Sequence, residues 1–454
     1  MSTTPLMLIV LAAGKGTRMK SDLPKVLHAI AGRSMLGHVL ALTDLVGATR
    51  TVVVVGPDMD NVRAAALAAV PGAEVFVQTQ QLGTGDAVKA ALPALANHRG
   101  DVIVLYADTP LIQSDTIASL RDTLDAGASV AVLGFEAADP TGYGRLLKDA
   151  TGALAAIREH KDSNEAERSV RLCNSGVMAF RVADLAGVLA RITNDNAKGE
   201  YYLTDAVEIV RAGGGRADVV TCPEHDVLGV NSRDQLAEAE AIYQARRRLE
   251  VMREGATLIA PQTVWFSHDT RIGRDVVIEP NVFFGPGSIV EDGAQILANC
   301  HIEGARIGRG ARIGPFARLR PGAALGQDVH IGNFVEVKNV TLGAGAKANH
   351  LAYLGDGSVG ANANIGAGTI FCNYDGFFKH KTVVGEGTFI GSNSSLVAPV
   401  NIGDGAYIGS GSVITKDVAA GSLALERASQ EERPGWAEKF RIMMKKRKAA
   451  KAAK

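Results

Sequence analysis

An α/β domain built on a largely parallel sheet, followed by a parallel β-helix, is the architecture this sequence predicts. Three observations carry that reading. Up to about Val230, short apolar runs alternate with helical stretches, and the first run ends in a glycine-rich turn. From Ser232 to Glu254 the chain contains neither Gly nor Pro. Beyond that stretch aliphatic residues return every six positions, a period that neither a helix nor a flat sheet produces.

Strands of the first region are read at LMLIVLAA (6–13), TVVVV (51–55), EVFVQ (74–78), DVIVLYAD (101–108), ASVAVLGF (128–135) and NSGVMAF (174–180). Continuous apolar strands separated by helices indicate a parallel sheet covered on both faces. Ligands gather beyond the carboxyl ends of such strands. The 232–254 stretch reads as a connecting helix. Ser232 and Gln235 have capping-box spacing, and Leu236, Ala239, Ile242, Ala245, Leu249 and Met252 recur at helical intervals.

The period-six register runs from 272 to 302, resumes at 307 after one skipped residue, slips again before 342 and 359, and finishes at 384–414. Of its 24 positions only Ala348 is not Ile, Leu, Val or Phe, and Gly follows 14 of them, which argues against chance. Such hexapeptides stack as coils of a parallel β-helix, aliphatic residues inward and small residues at the corners. The repeat breaks seriously once, at CNYDGFFKHKTV (372–383), where a loop is inserted. The expected organisation is 1–231, a linker helix 232–254, repeats 255–424 and a tail 425–454.

A chain of 454 residues exceeds one ordinary core. Its 48 basic and 48 acidic residues leave no global field for nucleic acid. The terminal KKRKAAKAAK (445–454) reads as a solvated tail or an anion contact. Cys173, Cys222, Cys300 and Cys372 lie far apart, so neither a disulfide framework nor a zinc site is expected, and a reducing cytosol fits. The first apolar run is short and unpreceded by a charged segment, a buried strand and not a signal peptide. No segment is long enough to span a bilayer.

The turn LAAGKGTRMKSDLPK (11–25) does not fit a Walker loop, since Gly14 and Gly16 are followed by Thr17, Arg18 and Met19, nor a dinucleotide fingerprint, since Met19 stands where the third glycine belongs. It still joins bare backbone amides to three cations, Lys15, Arg18 and Lys25, which suits a nucleoside triphosphate. LYADTPL places Tyr106 and Asp108 at a strand end, where Asp108 would bind Mg²⁺ or cap the next helix. In QTQQLGTGDA (78–87), Gln78 could read a base edge and Thr84 a hydroxyl, or the segment is a simple turn. DPTGYGR, REHKD, NSG and GEYYLTD gain weight from their common position in loops of this domain. In the repeats His350 sits beside Ala348, with Arg320, Lys338, Tyr353, Asn364 and Asn373 on neighbouring coils. Coils stack about 4.8 Å apart, so His350 is either a satisfied polar residue or a general base for a phosphorylated substrate. Cys372 is a reactive thiol or an ordinary small coil residue.

Taken together, LAAGKGTRMKSDLPKVLH, QLGTG, DPTGYGR, EHKD, GEYYLTD, IGPFARLRPGA, IGNFVEVK, YLGD, NIGAGTI, CNYDG and LVAPV resemble the bifunctional bacterial N-acetylglucosamine-1-phosphate uridyltransferase/glucosamine-1-phosphate acetyltransferase family along almost the whole chain. The resemblance implies a Rossmann-like nucleotidyltransferase domain, then a left-handed β-helix that forms a homotrimer. It implies acetyl transfer from acetyl-CoA to glucosamine-1-phosphate, then uridylyl transfer from UTP to N-acetylglucosamine-1-phosphate in the cytoplasm. Carried over by motif, Leu11, Ala12, Ala13, Gly14, Gln78, Gly83, Thr84, Tyr106 and Ala107 would contact the nucleotide. Arg18 and Lys25 would neutralise phosphate, Gly144, Glu159, Asn174 and Asn231 would hold sugar and ribose, and Asp108 with Asn231 would bind Mg²⁺. In the second site Arg320, Lys338, Tyr353 and Asn364 would bind the sugar phosphate, with His350 as base. Ala367, Asn373, Tyr374, Ser392, Ser410 and, in the tail, Arg427 would line the acetyl-CoA site. Ala107 replaces a common Gly and Ser410 a common Ala. Two rivals remain at this point: a single-activity nucleotidyltransferase whose β-helix only oligomerises, and a regulatory protein that lost catalysis. Both predict decay of one polar set, whereas both sets are present.

Overall fold

The computed structural model describes residues 4–14, 16–196 and 198–452. Lys15, one of the three cations of the first turn, lies outside the described residues. The chain forms two compact units, Met1–Val251 with Trp265–His268, and Met252–Val264 with Asp269–Lys454.

The first unit is built on strands β1 (Leu6–Leu11), β2 (Arg50–Val55), β3 (Glu74–Val77), β4 (Asp101–Tyr106), β5 (Val130–Glu136), β6 (Arg145–Lys148), β7 (Leu154–Arg158), β8 (Leu172–Arg181) and β9 (Ala217–Thr221). They form one sheet in the order β9-β5-β8-β4-β1-β2-β3, with β6 and β7 as a hairpin attached to β8. β1 pairs in parallel with both β2 and β4, and its carboxyl end therefore points the same way as theirs. β8, which carries NSGVMAF, runs antiparallel to β4 and β5. Its register shifts between Asn174 and Met178, at the polar NSG. The hairpin and β9 have no counterpart among the predicted strands; their short runs are too polar for a continuous apolar signal. Two cores cover the sheet faces, one including Leu8, Val53, Ile103 and Leu133, the other Ile9, Val52, Val104 and Val132.

The linker helix is observed at Arg233–Arg253. Leu236, Ala239 and Ile242 pack on Ile30, Met35, Leu111 and Val230, whereas Leu249 is exposed. The expected capping box differs in its partner. The Gln235 side chain accepts from the backbone N–H of Asn231 at 2.8 Å, one residue earlier than the Ser232 cap requires. A second difference lies past the helix, where Trp265–His268 return to the first unit. Phe266 is buried there, and the fully buried Gln244 amide donates to its carbonyl at 2.7 Å and accepts from its N–H at 2.9 Å.

The second unit is a left-handed parallel β-helix. Its strands are mostly two residues long and pair only in parallel, as in Val277↔Gln295, Gln295↔Arg312 and Arg312↔His330. Each coil is three hexapeptides, or one residue less where the register slips. From Ile278 onward every period-six residue is buried, Ala348 included, and Ile272 on the first coil is partly exposed. The coil after Asn364 is longer because it carries the inserted loop, so Asn364 pairs with Phe389. The tail ends in a helix, Trp436–Ala452, with no buried residue.

Truncating a buried Phe costs about 3–5 kcal/mol. Phe266→Ala should therefore lower the thermal midpoint of the first unit by roughly 6–20 °C. An unchanged melting curve would show that Trp265–His268 are not part of that core.

Candidate active sites

In the first unit the glycine turn follows β1 directly, and the next polar residues follow β4 on its neighbour. A cavity of about 290 Å³ opens at this edge. Ten predicted residues line it: Leu11, Ala12, Ala13, Gly14, Lys25, Gln78, Gly83, Thr84, Tyr106 and Asp108. Glu200, Gln81, Val26 and Ala87 complete the wall. Arg18 is exposed and stands off the wall, and Ala107 is fully buried in the core, so its methyl does not narrow the cavity.

Lys25 is the central charge. It is buried, and its Nζ donates to Asp108 Oδ2 at 2.5 Å and to Asn231 Oδ1 at 2.9 Å. Gly16 (φ 63°) makes this possible, since a Cβ there would collide with the Lys25 side chain. Asn231 is fixed from two sides: its amide donates to Gly229 O at 3.2 Å and its backbone N–H to Gln235. Asp108 thus forms an ion pair, and the alternative of a helix cap does not apply. Two hard oxygen donors converge on one positive centre. That pair suits Mg²⁺, which takes few protein carboxylates and completes its shell with phosphate and water. Among the described residues no cluster of three His, Cys, Asp or Glu competes with it.

The QLGTGDA turn opens helix α1 (Thr84–Ala90). Gly83 (φ 112°) lies so close to Tyr201 that a Cβ would fall 2.7 Å from its carbonyl. That closeness lets GEYYLTD dock on the turn: Tyr201 N–H donates to Leu82 O, Gly85 N–H to Tyr201 O, and Leu203 N–H to Thr84 Oγ1. The sugar-side residues also converge. Asn174 N–H donates to Gly144 O at 2.8 Å, and a Cβ on Gly144 would lie 3.4 Å from Glu159 Oε1 and 3.6 Å from Asn174 Cβ. Glu159 borders a second cavity of about 390 Å³ with Asp162, Tyr202, Thr204 and Asp205. Burial raises the Glu159 carboxyl above its ordinary value, and burial with Glu208 and Glu159 nearby pushes Asp205 up to about 6. Burial likewise keeps the Tyr106 phenol protonated; it bonds Thr84 and feels the charges of Asp108 and Glu159.

On the β-helix the predicted residues separate into two groups. Arg320 donates to Glu336 at 2.9 Å, and Lys338 lies 3.9 Å from Asp356. Asp356 accepts from Asn339 at 2.8 Å and from Asn373 at 2.6 Å. Burial works to raise its carboxyl, yet the two amides and Lys338 outweigh it and hold the group below its ordinary value. Lys379, from the inserted loop, lies close to Lys338, and that neighbouring ammonium lowers its pKa. Tyr353 lies in register with Glu336, and its hydroxyl shares the space above Gly355 with Asn373. Asp356, Glu336 and Lys379 were absent from the sequence reading, because nothing in the six-residue period marks an outward charge.

The second group runs up the coils beside that face. His350 pairs in register with Asn333, and its Nδ1 lies 2.9 Å from Asn333 Oδ1. Gly368 N–H donates to His350 O, Asn393 N–H to Ala367 O, and Gly411 N–H to Ser392 O, so His350, Ala367, Ser392 and Ser410 stack in one column. Arg427 closes it by donating to Ser410 O at 2.7 Å, through the backbone that any residue at 410 supplies. The two groups lie on either side of the corner at Leu351 (φ 52°). Asn364 lies beyond His350, in register with Lys347, and Tyr374 is exposed, its hydroxyl donating to Gly376 O. Cys372 is partly buried, and its thiol lies 3.9 Å from Ile370 O.

Comparison with known proteins accords with this pairing of sites. Residues 8–172 match the MobA-like NTP transferase domain, and residues 304–339 and 381–416 match the bacterial transferase hexapeptide (six repeats). The chain is 60% identical to the bifunctional protein GlmU of Azorhizobium caulinodans over 97% of this chain and 98% of the relative. It is 58% identical to that of Xanthobacter autotrophicus over 99% of this chain and 100% of the relative. The figure is 56% for that of Sphingopyxis alaskensis, over 99% of both. With two such sites in this order and near-complete coverage at that identity, the chain belongs to the GlmU family of bifunctional enzymes, a nucleotidyltransferase unit joined to a hexapeptide transferase unit.

Proposed function

We propose that the β-helix acetylates glucosamine-1-phosphate with acetyl-CoA and that the first unit transfers uridylyl from UTP to the resulting N-acetylglucosamine-1-phosphate, releasing pyrophosphate and UDP-N-acetylglucosamine, a cell-envelope precursor. The observation that carries the first reaction centre is the convergence of Asp108 and Asn231 oxygens on Lys25 beside a base-sized cavity. Asp108 and Asn231 would hold Mg²⁺, which supplies charge neutralisation at the α-phosphate when bound. Lys25 then exchanges its carboxylate partner for triphosphate oxygens, and Arg18 approaches the same charge from the exposed side of the turn. Backbone amides of Ala13 and Gly14 face the phosphates, the Ala12 N–H being held by Val54 O at 2.7 Å, and Gln78 and Gly83 face the base. Glu159, Asn174 and Gly144 orient the sugar so that its phosphate oxygen bonds the α-phosphorus as the α–β bridge breaks. Metal charge stabilisation is worth several kcal/mol, so Asp108→Asn should lower uridylyl transfer by at least about 10²-fold and leave acetyl transfer intact. Pyrophosphate release and CoA release measured on one preparation separate the two; equal loss of both would indicate misfolding and remove the metal role.

For acetyl transfer, Arg320, Lys338 and Lys379 supply the positive charge that a sugar phosphate needs, with Tyr353 and Asn364 as further contacts. Asn373, Tyr374 and the Ala367–Ser392–Ser410 column with Arg427 form the acetyl-CoA side. The amine must be uncharged to attack the thioester carbon. His350 takes its proton, with Asn333 holding the ring, and the C–S bond breaks to release CoA. His350 and the phosphate-binding charges flank a corner where Phe316, Phe334 and Leu351 project 48%, 56% and 60% exposed. That apolar column supports the reading of a homotrimer with acetyl sites completed between copies. Substrates of this kind support a cytoplasmic location, and the balance of 48 basic and 48 acidic residues supports a reading without a nucleic-acid partner. No described helix is long and apolar enough to cross a membrane. General-base catalysis contributes about 10²–10⁴-fold. His350→Ala should therefore lower the acetyl-transfer kcat by that factor, with little change in KM for acetyl-CoA and none in uridylyl transfer. Steady-state CoA release at a near wild-type rate would return His350 to a merely satisfied polar residue.

A further inference from the structure

The Gln78 side chain is only 5% exposed at residue level, yet it borders the nucleotide cavity. Its amide nitrogen carries two hydrogens, and both are committed: Nε2 donates to Gly83 O at 2.9 Å and to Asp86 Oδ2 at 2.8 Å. Both partners are oxygens that can only accept. A flipped amide would set Oε1 against two acceptors, so the hydrogen-bond network admits one orientation. In that orientation Oε1 has no hydrogen-bond partner among the described residues and is not sealed from the cavity. A buried amide with both donors occupied presents a fixed acceptor.

Asp86 is itself well held. It is the third residue of α1, where the helix dipole favours a carboxylate, and its Oδ2 also accepts from Leu82 N–H at 3.2 Å. One oxygen thus ties the Leu82 turn, the start of α1 and the Gln78 amide together. Gly83, which supplies the other acceptor, is locked by its contact with Tyr201.

We propose that Asp86 is a positioning residue for base selection: with the Gly83 carbonyl it fixes the polarity of the Gln78 amide, so the cavity offers an acceptor to the ring edge of the base. This rests on the assignment of a uridylyl-transfer site. Uracil carries an N–H donor at N3, whereas cytosine carries an acceptor lone pair there. A fixed acceptor pairs with the first and opposes the second. A site built to pair one polar edge rejects its mismatch because buried groups are left unpaired. Without Asp86 the amide keeps one anchor and can turn its NH₂ toward the cavity, which suits cytosine.

The test compares kcat/KM for UTP and CTP, each with N-acetylglucosamine-1-phosphate, in the full-length enzyme and two variants. Asp86→Ala should lower the UTP/CTP ratio by roughly 10- to 100-fold, part of it through a gain with CTP. Asp86→Asn keeps an acceptor oxygen in place and should retain most of the wild-type ratio, although it loses the charge at the helix start. A purely structural role predicts the reverse: a fall in rate with both nucleotides, an unchanged ratio, and no rescue by Asn. Acetyl transfer by the same preparations monitors folding. A wild-type enzyme that does not turn over UTP would overturn the site assignment itself. A UTP-selective wild type whose ratio survives Asp86→Ala would overturn the role of Asp86 alone.

Discussion

Parallel, in-register strand pairing is the constraint on which both units depend. In the first unit it brings the ends of β1 and β4 to one edge, so the glycine turn and the YAD segment meet although they are far apart in sequence. In the second unit a two-residue strand has no partner of its own, and its backbone groups bond only to the coils before and after it. An unpaired buried amide or carbonyl is costly, so the register cannot drift. The outward side chains of successive coils are thereby held at about the inter-strand spacing. Glu336 and Tyr353, or Asn333 and His350, become neighbours by that rule alone.

Within these frames each site contains buried charge that has found a protein partner. Lys25 rests on Asp108 and Asn231, and Asp356 on Asn339, Asn373 and Lys338. An isolated buried charge would be expensive, and a pair often only breaks even against apolar packing. Such pairs are therefore better explained by what they orient than by stability. Asp356 shows this well, since its two oxygens draw in amides from two coils and leave Lys338 beside Lys379. Two ammonium groups so close repel, and the phosphate of the proposed substrate would relieve the repulsion.

Much of this was legible in the sequence because apolar periodicity is a strong local signal. The strands 6–11, 50–55 and 101–106, the six-residue register and the helix at 233–253 all declare themselves through it. Lys25 and Asp108 were readable as a loop cation and a strand-end carboxylate, but their pairing joins residues 83 apart and no local pattern announces it. The antiparallel run of β8 was hidden because strand direction leaves no mark on composition. The hairpin β6–β7 was hidden by its polar residues, and the return of Trp265–His268 by the assumption that a helix ends a domain. Lys379 and Asp356 escaped because the repeat constrains inward positions and is silent about outward ones. Gln78 was visible as a reader of the base; the oxygen that orients it, Asp86, looked like one more residue of a turn.

The β-helix also departs from its own regularity where the residues proposed for acetyl transfer gather. Most strands there are two residues long, but His330–Asn333 and Lys347–His350 have four, and Glu336–Leu342 and Tyr353–Val359 have seven. In the seven-residue pair the ladder runs from Glu336↔Tyr353 to Leu342↔Val359 and continues through a turn that elsewhere interrupts it. Longer ladders mean more hydrogen bonds per coil and less local opening. Lys338, Tyr353 and Asp356 stand on these strands, and His350 ends one. Groups that must meet a reacting atom within about half an ångström gain most from a rigid support. Asn373, Tyr374 and Arg427, which we propose on the acetyl-CoA side, stand instead on the loop between Cys372 and Thr382 and on the tail, each segment tied down by its own hydrogen bonds. The regular repeat thus builds the scaffold, and its local lengthening stiffens the support for the residues proposed to carry the chemistry.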